Sequence, residues 1–193
     1  EIEDIEDEIG SLSKYIREHL WNEKEGFLFD RFADGSLSTM KSIGAYWALV
    51  ADVLDKDQLD KLVGHLKDPS TFHRKFPVPS LSADDEKYQE DGRYWQGGIW
   101  APTNFMVIKG LQKQGYKKEA FDIARRHHDH ILQVFKDTGT FWEYYAPESA
   151  SPGLLARPDF VGWTGLPPIA VLIEAVFGIH CKKKKKTISW DVN

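Results

Sequence analysis

The sequence predicts an all-α protein of about three αα-hairpins, with long aromatic loops and a short C-terminal strand. Three observations carry that reading. Five segments carry apolar residues that fall on one helix face, and a sixth is almost wholly apolar. The connections alternate between short turns and loops whose Gly and Pro content forbids a continuous helix. Aromatic residues make up 13% of the chain and concentrate in those long loops. Disordered segments are poor in aromatics, so the loops are expected to be ordered and functional.

The first stripe is Ile2, Ile5, Ile9, Leu12, Ile16 and Leu20. The acids among residues 1–8 suit a helix N-terminus and read as a solvated face. From Asn22 to Ser38, Gly26, Asp34-Gly35 and the alternation Phe27, Phe29 predict a loop or short hairpin turning at Asp34-Gly35. A second helix is expected over Ile43–Leu54, with Ala45, Trp47, Leu49, Val50 and Val53 available for burial. A third, from about Asp57 to Leu66, places Leu59, Leu62, Val63 and Leu66 on one face. The short link makes these two antiparallel neighbours. Residues 68–99 form a loop of unusual length for a compact domain. Helical pattern returns at Ala101, with Pro102 in the first turn, Phe105, Ile108 and Leu111 on one face, and Gly115 as the stop. The next helix, Lys117 to Phe135, is expected to bury Ala120, Ile123, Ala124, Ile131, Leu132 and Phe135. A second long loop, Thr138 to Gly165, precedes an almost wholly apolar segment, Pro167–Phe177, which predicts burial on all sides. Thr187–Val192 reads as a strand.

A length of 193 residues suits one domain or a piece of a larger one. Hydrophobic residues at 41% and charged residues at 28% are ordinary for a soluble globular protein. The net charge of -5 gives no reason to expect a nucleic-acid partner. One cysteine excludes an internal disulfide framework and a cysteine-based zinc site. No apolar run has the length of a membrane span. The chain starts at Glu1, so a natural start upstream is open; the cytoplasm is the favoured compartment, with a secreted or periplasmic location compatible with a missing N-terminus.

The strongest chemical signal is where the loop aromatics sit. Tyr94-Trp95-Gln96-Gly97-Gly98-Ile99-Trp100 precedes one helix; Phe141-Trp142-Glu143-Tyr144-Tyr145 and Phe160-Val161-Gly162-Trp163 precede another. Sugar rings present apolar C–H faces and a rim of hydroxyls, which calls for flat aromatic platforms beside carboxylate and amide acceptors. The same aromatics also fit a structural role, because aromatics dominate cores. Glu143, between Trp142 and Tyr144, is the carboxylate best placed for acid/base work. Glycosidic hydrolysis usually needs a second one, for which Asp84, Asp85, Asp91 and Glu148 are candidates, each also readable as a solvated loop acid. His127-His128-Asp129-His130 suggests metal ligands but lacks a full set and reads as a surface helix face. The run Lys182 to Lys186 reads as a solvated connector.

Five ordered motifs are KSIGAYW at 41–47, PVPSLSAD at 77–84, YWQGGIWAPTN at 94–104, WEYYAPE at 142–148 and DFVGWTG at 159–165. Together, over about Leu20 to Val192, they resemble glycoside hydrolase family 63 and its mannosylglycerate-hydrolase-like relatives, within the trehalase-like six-hairpin glycosidases. The resemblance implies an (α/α)₆ toroid of twelve helices with its site at one mouth, of which this chain is the C-terminal half. Residues 1–180 would form that half of the catalytic domain, and 181–193 a lysine-rich connector leading to a terminal strand. It implies inverting hydrolysis of an α-linked sugar, of α-glucosidase or α-mannosidase type, without a metal or organic cofactor. Glu143 would be the general base. Tyr94, Trp95 and Trp100 would line the sugar subsite and Trp163 its second wall, with Asn104, Trp142, Tyr144 and Phe160 completing the contacts. Gln96 would also contact the sugar, as a neutral amide where many relatives carry Arg. The family's general acid is an aspartate of the first half, and no such motif occurs here. The chain alone is therefore expected to be nearly inactive and to need its missing half or self-association. Two other classes use the same elements: a non-catalytic carbohydrate-binding or scaffold half-toroid, and a helical protein-interaction module.

Overall fold

A computed structural model describes residues 2–182 and 186–190. Among them are six helices and two small hairpins: α1 (Ile2–His19), β1 (Trp21–Asn22), β2 (Phe27–Leu28), α2 (Trp47–Ala51), α3 (Lys56–His65), α4 (Ala101–Lys113), α5 (Lys117–Thr138), α6 (Pro167–Val176), β3 (Ile179–Lys182) and β4 (Thr187–Trp190). α6 is wound as a π-helix, with Val171 N–H donating to Leu166 O and Phe177 N–H to Leu172 O. β1 pairs antiparallel with β2, Trp21 opposite Leu28. The turn at Asp34-Gly35 follows as a second, tighter loop, in which the Asp34 carboxylate accepts from Ser36 and Arg31 pairs with Leu37.

Several expectations need correction. The helix predicted over Ile43–Leu54 divides into a 3₁₀ turn, Ile43–Tyr46, and the five-residue α2. Asp52 stops α2 in the left-handed region, at φ 63°. α2 packs chiefly against α4, not against α3. α3 opens on a capping box, Asp55 accepting from Gln58 N–H while the Gln58 side chain reaches back to Asp55 N–H. α5 turns inward through Ala120, Ile123, Ala124, His127, His130, Ile131 and Val134, so Leu132 and Phe135 stay exposed and the histidine pair leaves the surface. α6 is covered on one side only: Pro167, Val171 and Ala175 are buried, while Ile169 is 63% and Phe177 53% exposed. The C-terminal strand has a partner, β3, with Ile179 opposite Trp190. The end of that predicted strand at Val192 and residues 183–185 of the lysine run lie outside the described residues.

The main core joins Phe27, Tyr46 and Phe72 to α2, α3, α4 and the first half of α5. α1 contributes only Ile16 at its edge, and its Ile2, Ile5, Ile9 and Leu12 stripe is exposed. The two short connections meet at one end, where Tyr116 hydrogen-bonds Lys56 and Asp60 and Gln114 reaches Leu49 O. The long connections 20–42, 66–100 and 139–166 meet at the other end. There a row of backbone bonds crosses them: Ser82 N–H to Lys41 O, Ile43 N–H to Ser80 O, Ser80 N–H to Gly98 O, and Ile99 with Tyr145 in both directions.

The α2–α4 crossing depends on Gly110, where a Cβ would meet Leu49 Cβ at 2.6 Å. Gly110→Ala is therefore expected to destabilise the protein by about 1–3 kcal/mol through overpacking. That reverses the gain of about 1 kcal/mol Ala gives over Gly on an open helix face. A urea midpoint at or above wild type would contradict so close a crossing.

Candidate active site

The site is built outward from Trp100, the residue that caps the start of α4. Its backbone is extended at φ -107°, ψ 127°, its ring is only 3% exposed, and its Nε1 donates to Tyr94 O at 3.2 Å. Trp95 stacks on one side of it at 4.5 Å and 15°, and Tyr144 stacks on it at 4.5 Å and 24°. Tyr94 closes the group edge-on, 5.1 Å from Trp100. Gly98 allows this stack to form: a Cβ there would lie 2.3 Å from Tyr94 O and 3.1 Å from both Trp100 Nε1 and Tyr144 Cδ2. Tyr144 is anchored from its far end, its hydroxyl donating to Leu154 O at 2.7 Å. The result is a fixed aromatic wall whose outer member, Trp95, is 47% exposed, as a platform for a flat apolar ligand face requires.

Glu143 lies at the edge of that wall. Trp163 Nε1 donates to its backbone carbonyl at 2.9 Å, and Trp163 in turn lies 6.0 Å from Trp100 and 4.7 Å from Phe160. The Glu143 side chain is 14% exposed and its Oε2 lies 3.9 Å from Arg157 Nε. Burial, and then the Glu143 charge, push the Tyr144 hydroxyl above its ordinary value. Tyr94, Trp95, Trp100, Tyr144, Phe160, Trp163 and Glu143 are thus brought together from two loops far apart in sequence. Nothing in the sequence marks Arg157; an arginine in a loop carries no periodic or motif signal, and only folding sets it beside Glu143.

Other candidates stand elsewhere. Asn104 is fully buried and its amide is spent on the backbone, donating to Trp100 O and Val78 O and accepting from Val78 N–H. It holds the 77–80 loop and the Trp100 backbone from behind, and its side chain is not part of the exposed wall. Trp142 packs with Ile99, Ile131, Val134 and Tyr145 in a second, smaller core behind it. Gln96 is half-buried in the turn, its backbone paired with Gln89 and Arg93. Among the acids, Glu148 is held by Arg74 at 2.5 Å and the Tyr88 hydroxyl at 2.7 Å. Burial pushes the Asp84 carboxyl up, but hydrogen bonds from Lys41 and Ser82 outweigh it and hold it below its ordinary value. Asp85 accepts from Lys87 N–H, and Asp91 is exposed beside the wall.

A family model for the mannosylglycerate hydrolase MGH1-like glycoside hydrolase domain matches residues 1–164. The chain belongs to that family. The match begins earlier than the motif series and ends at Thr164, before α6. An uncharacterized protein of Borreliella burgdorferi is 26% identical over 94% of this chain and 41% of its own length. In structure, the chain is similar to the family 63 mannosylglycerate hydrolase of Thermus thermophilus in complex with glucose, with TM-score 0.63 and 22% identity over 79% of this chain and 34% of that one. It is also similar to the neutral trehalase Nth1 of Saccharomyces cerevisiae, with TM-score 0.68 and 21% identity over 83% of this chain and 28% of that one. Over the aligned residues the fold therefore matches part of the family 63 and trehalase-type toroid enzymes, and this member of the glycoside hydrolase family spans less than half the length of these relatives.

Beneath the wall, α5 presents two buried imidazoles. His130 stacks on Phe76 at 3.8 Å and meets Tyr145 edge-on at 5.6 Å. Burial first, then the neighbouring histidine, pushes both His127 and His130 from 6.5 down to about 3. The unfolded chain takes up these protons first. Stability is thus fully present above the ordinary value of 6.5 and is expected to fall as pH drops from 6.5 toward 3. Urea midpoints across that range test this, and His130→Phe, which keeps the stack, should flatten part of the slope.

Proposed function

We propose that the chain is the base-bearing part of an inverting α-glycoside hydrolase. The observation that carries this reading is Glu143, largely shielded from water, at the rim of an aromatic wall and held by its own backbone to Trp163. In the proposed reaction the Glu143 carboxylate takes a proton from a water molecule, whose oxygen attacks the anomeric carbon as the bond to the leaving oxygen breaks on the opposite face. The leaving oxygen takes its proton from a general acid. Asp84 and Glu148 suit that task poorly, the first held ionised by Lys41 and the second engaged by Arg74 and Tyr88. The acid is accordingly assigned to a part of the assembly outside these residues, about 6.5–9.5 Å from Glu143. Exposed Ile169 and Ile173 on α6, and Phe177 at its end, are where the remaining hairpins of a toroid would pack.

The expected outcomes are specific. In the full natural polypeptide, Glu143→Gln lowers kcat on an α-glycoside by about 10²–10⁴ while leaving the Kd for a methyl α-glycoside near its wild-type value. Trp95→Ala weakens that Kd. The chain of residues 1–193 alone turns over at a trace rate. A monomeric chain with full activity, or a Glu143→Gln protein that retains it, is incompatible with the proposal. Sugar binding that survives alongside absent turnover in the full polypeptide would point instead to a carbohydrate-binding module.

A further inference from the structure

The Glu143 carboxylate is held differently from the other acids of the long loops. Asp84 is gripped by Lys41 Nζ at 2.8 Å and by the Ser82 hydroxyl at 2.6 Å, and Glu148 by Arg74 and Tyr88. Among the described residues, the Glu143 side chain takes no hydrogen bond, and its one ion pair is with Arg157, Oε2 to Nε at 3.9 Å. That separation is too long for a hydrogen bond and short enough for charge to act.

The backbone builds that separation. Three bonds tie the two arms of the third long loop: Gly153 N–H to Tyr144 O, Glu143 N–H to Arg157 O and Phe160 N–H to Phe141 O, each at 3.0 Å. Leu154 N–H also donates to Asp91 O, and the Asp159 carboxylate accepts from the Thr140 hydroxyl at 2.8 Å. Arg157 thus sits across from Glu143. On either side of it, Leu155 at φ 66° and Asp159 at φ 55° hold the left-handed region. A bulky leucine adopts that region at a cost, and such strain gathers at functional sites. Pro158 favours an extended Arg157. The arginine side chain stays 77% exposed, so it is not packed as part of a core.

A general base has two needs. Its charge must be supported, because burial disfavours a charged carboxylate, and its lone pairs must stay open to the proton it takes. A bidentate arginine fork meets the first need and blocks the second. A cation slightly beyond hydrogen-bond reach meets both. Tyr94, Asp91 and Glu143 all act on the Tyr144 hydroxyl, and none of these neighbours brings positive charge. We propose that Arg157 is the positioning residue of the base: its charge steadies the Glu143 carboxylate from 3.9 Å and leaves both oxygens free for the attacking water. This assignment rests on the glycosidase reading above.

Steady-state kinetics of the full natural polypeptide test it, on a panel of methyl and disaccharide α-glucosides and α-mannosides of which the fastest is followed. Arg157→Gln is expected to lower kcat about fivefold, the upper range for an exposed ion pair, with KM unchanged. The backbone bond from Glu143 N–H to the residue 157 carbonyl is kept in every variant. Arg157→Lys should recover most of the loss, because the charge and not the planar fork is used. Wild-type kcat in Arg157→Gln, a loss that Arg157→Lys does not recover, or a change in KM larger than the change in kcat overturns the assignment. The last result would make Arg157 a substrate contact. All three leave Glu143 standing as the base so long as Glu143→Gln abolishes turnover. An active Glu143→Gln protein, or a polypeptide that hydrolyses none of the panel, removes the base and its positioning residue together.

Discussion

Two backbone hydrogen bonds between Ile99 and Tyr145, at 2.8 and 3.1 Å, join the loop that carries Trp95 to the loop that carries Glu143. Everything at the mouth depends on that pair. Ile99 precedes Trp100, whose ring is the middle of the stack, and Tyr145 follows Tyr144, which lies against it. Because an extended backbone sends neighbouring side chains to opposite sides, pairing Ile99 with Tyr145 turns those two residues into the small core behind the wall and sets Trp100 against Tyr144 in front. A slip of one residue would exchange the two sides and bury the platform.

Loops of this length stay ordered only if their backbone polar groups are satisfied. Buried side chains do much of that work here. Asn104 holds the Val78 peptide from α4. Arg126 on α5 donates to Arg74 O and Lys75 O, and Arg74 in turn binds Glu148 across to the third loop. His130 sits between the two loops, stacked on Phe76 and edge-on to Tyr145. Such contacts make the aromatic wall a rigid surface, so a ligand meets groups that need little reordering on binding.

The apolar face left open on α6 and the stripe on α1 have the same physical character. Each is a helix with a hydrophobic side and too few neighbours to cover it, next to a mouth whose wall is complete. Apolar periodicity reports that a face favours burial; it does not report which chain supplies the cover. This is why the almost wholly apolar Pro167–Phe177 segment reads as a buried helix in sequence yet exposes Ile169 and Phe177 in the fold.

The sequence by itself determined most of the helices, the ordered aromatic loops and the motifs on which the family resemblance rests, because these follow from local periodicity, from Gly and Pro placement and from runs of adjacent residues; the grouping of Tyr94, Trp95, Trp100, Glu143 and Trp163 is implied by that resemblance alone. Even the α3 cap was written locally, in Asp55 and Gln58. Tertiary structure alone decided that α2 leans on α4, that Asn104 and Trp142 serve the scaffold, that Glu148 and Asp84 are bound to cations, and that Arg157 stands beside Glu143. It also carried His127 and His130 from an expected surface to the interior. Each of those outcomes depends on which partner lies across a gap too long for local periodicity to register. A hydrogen bond or ion pair across such a gap leaves no periodic trace in the chain that forms it.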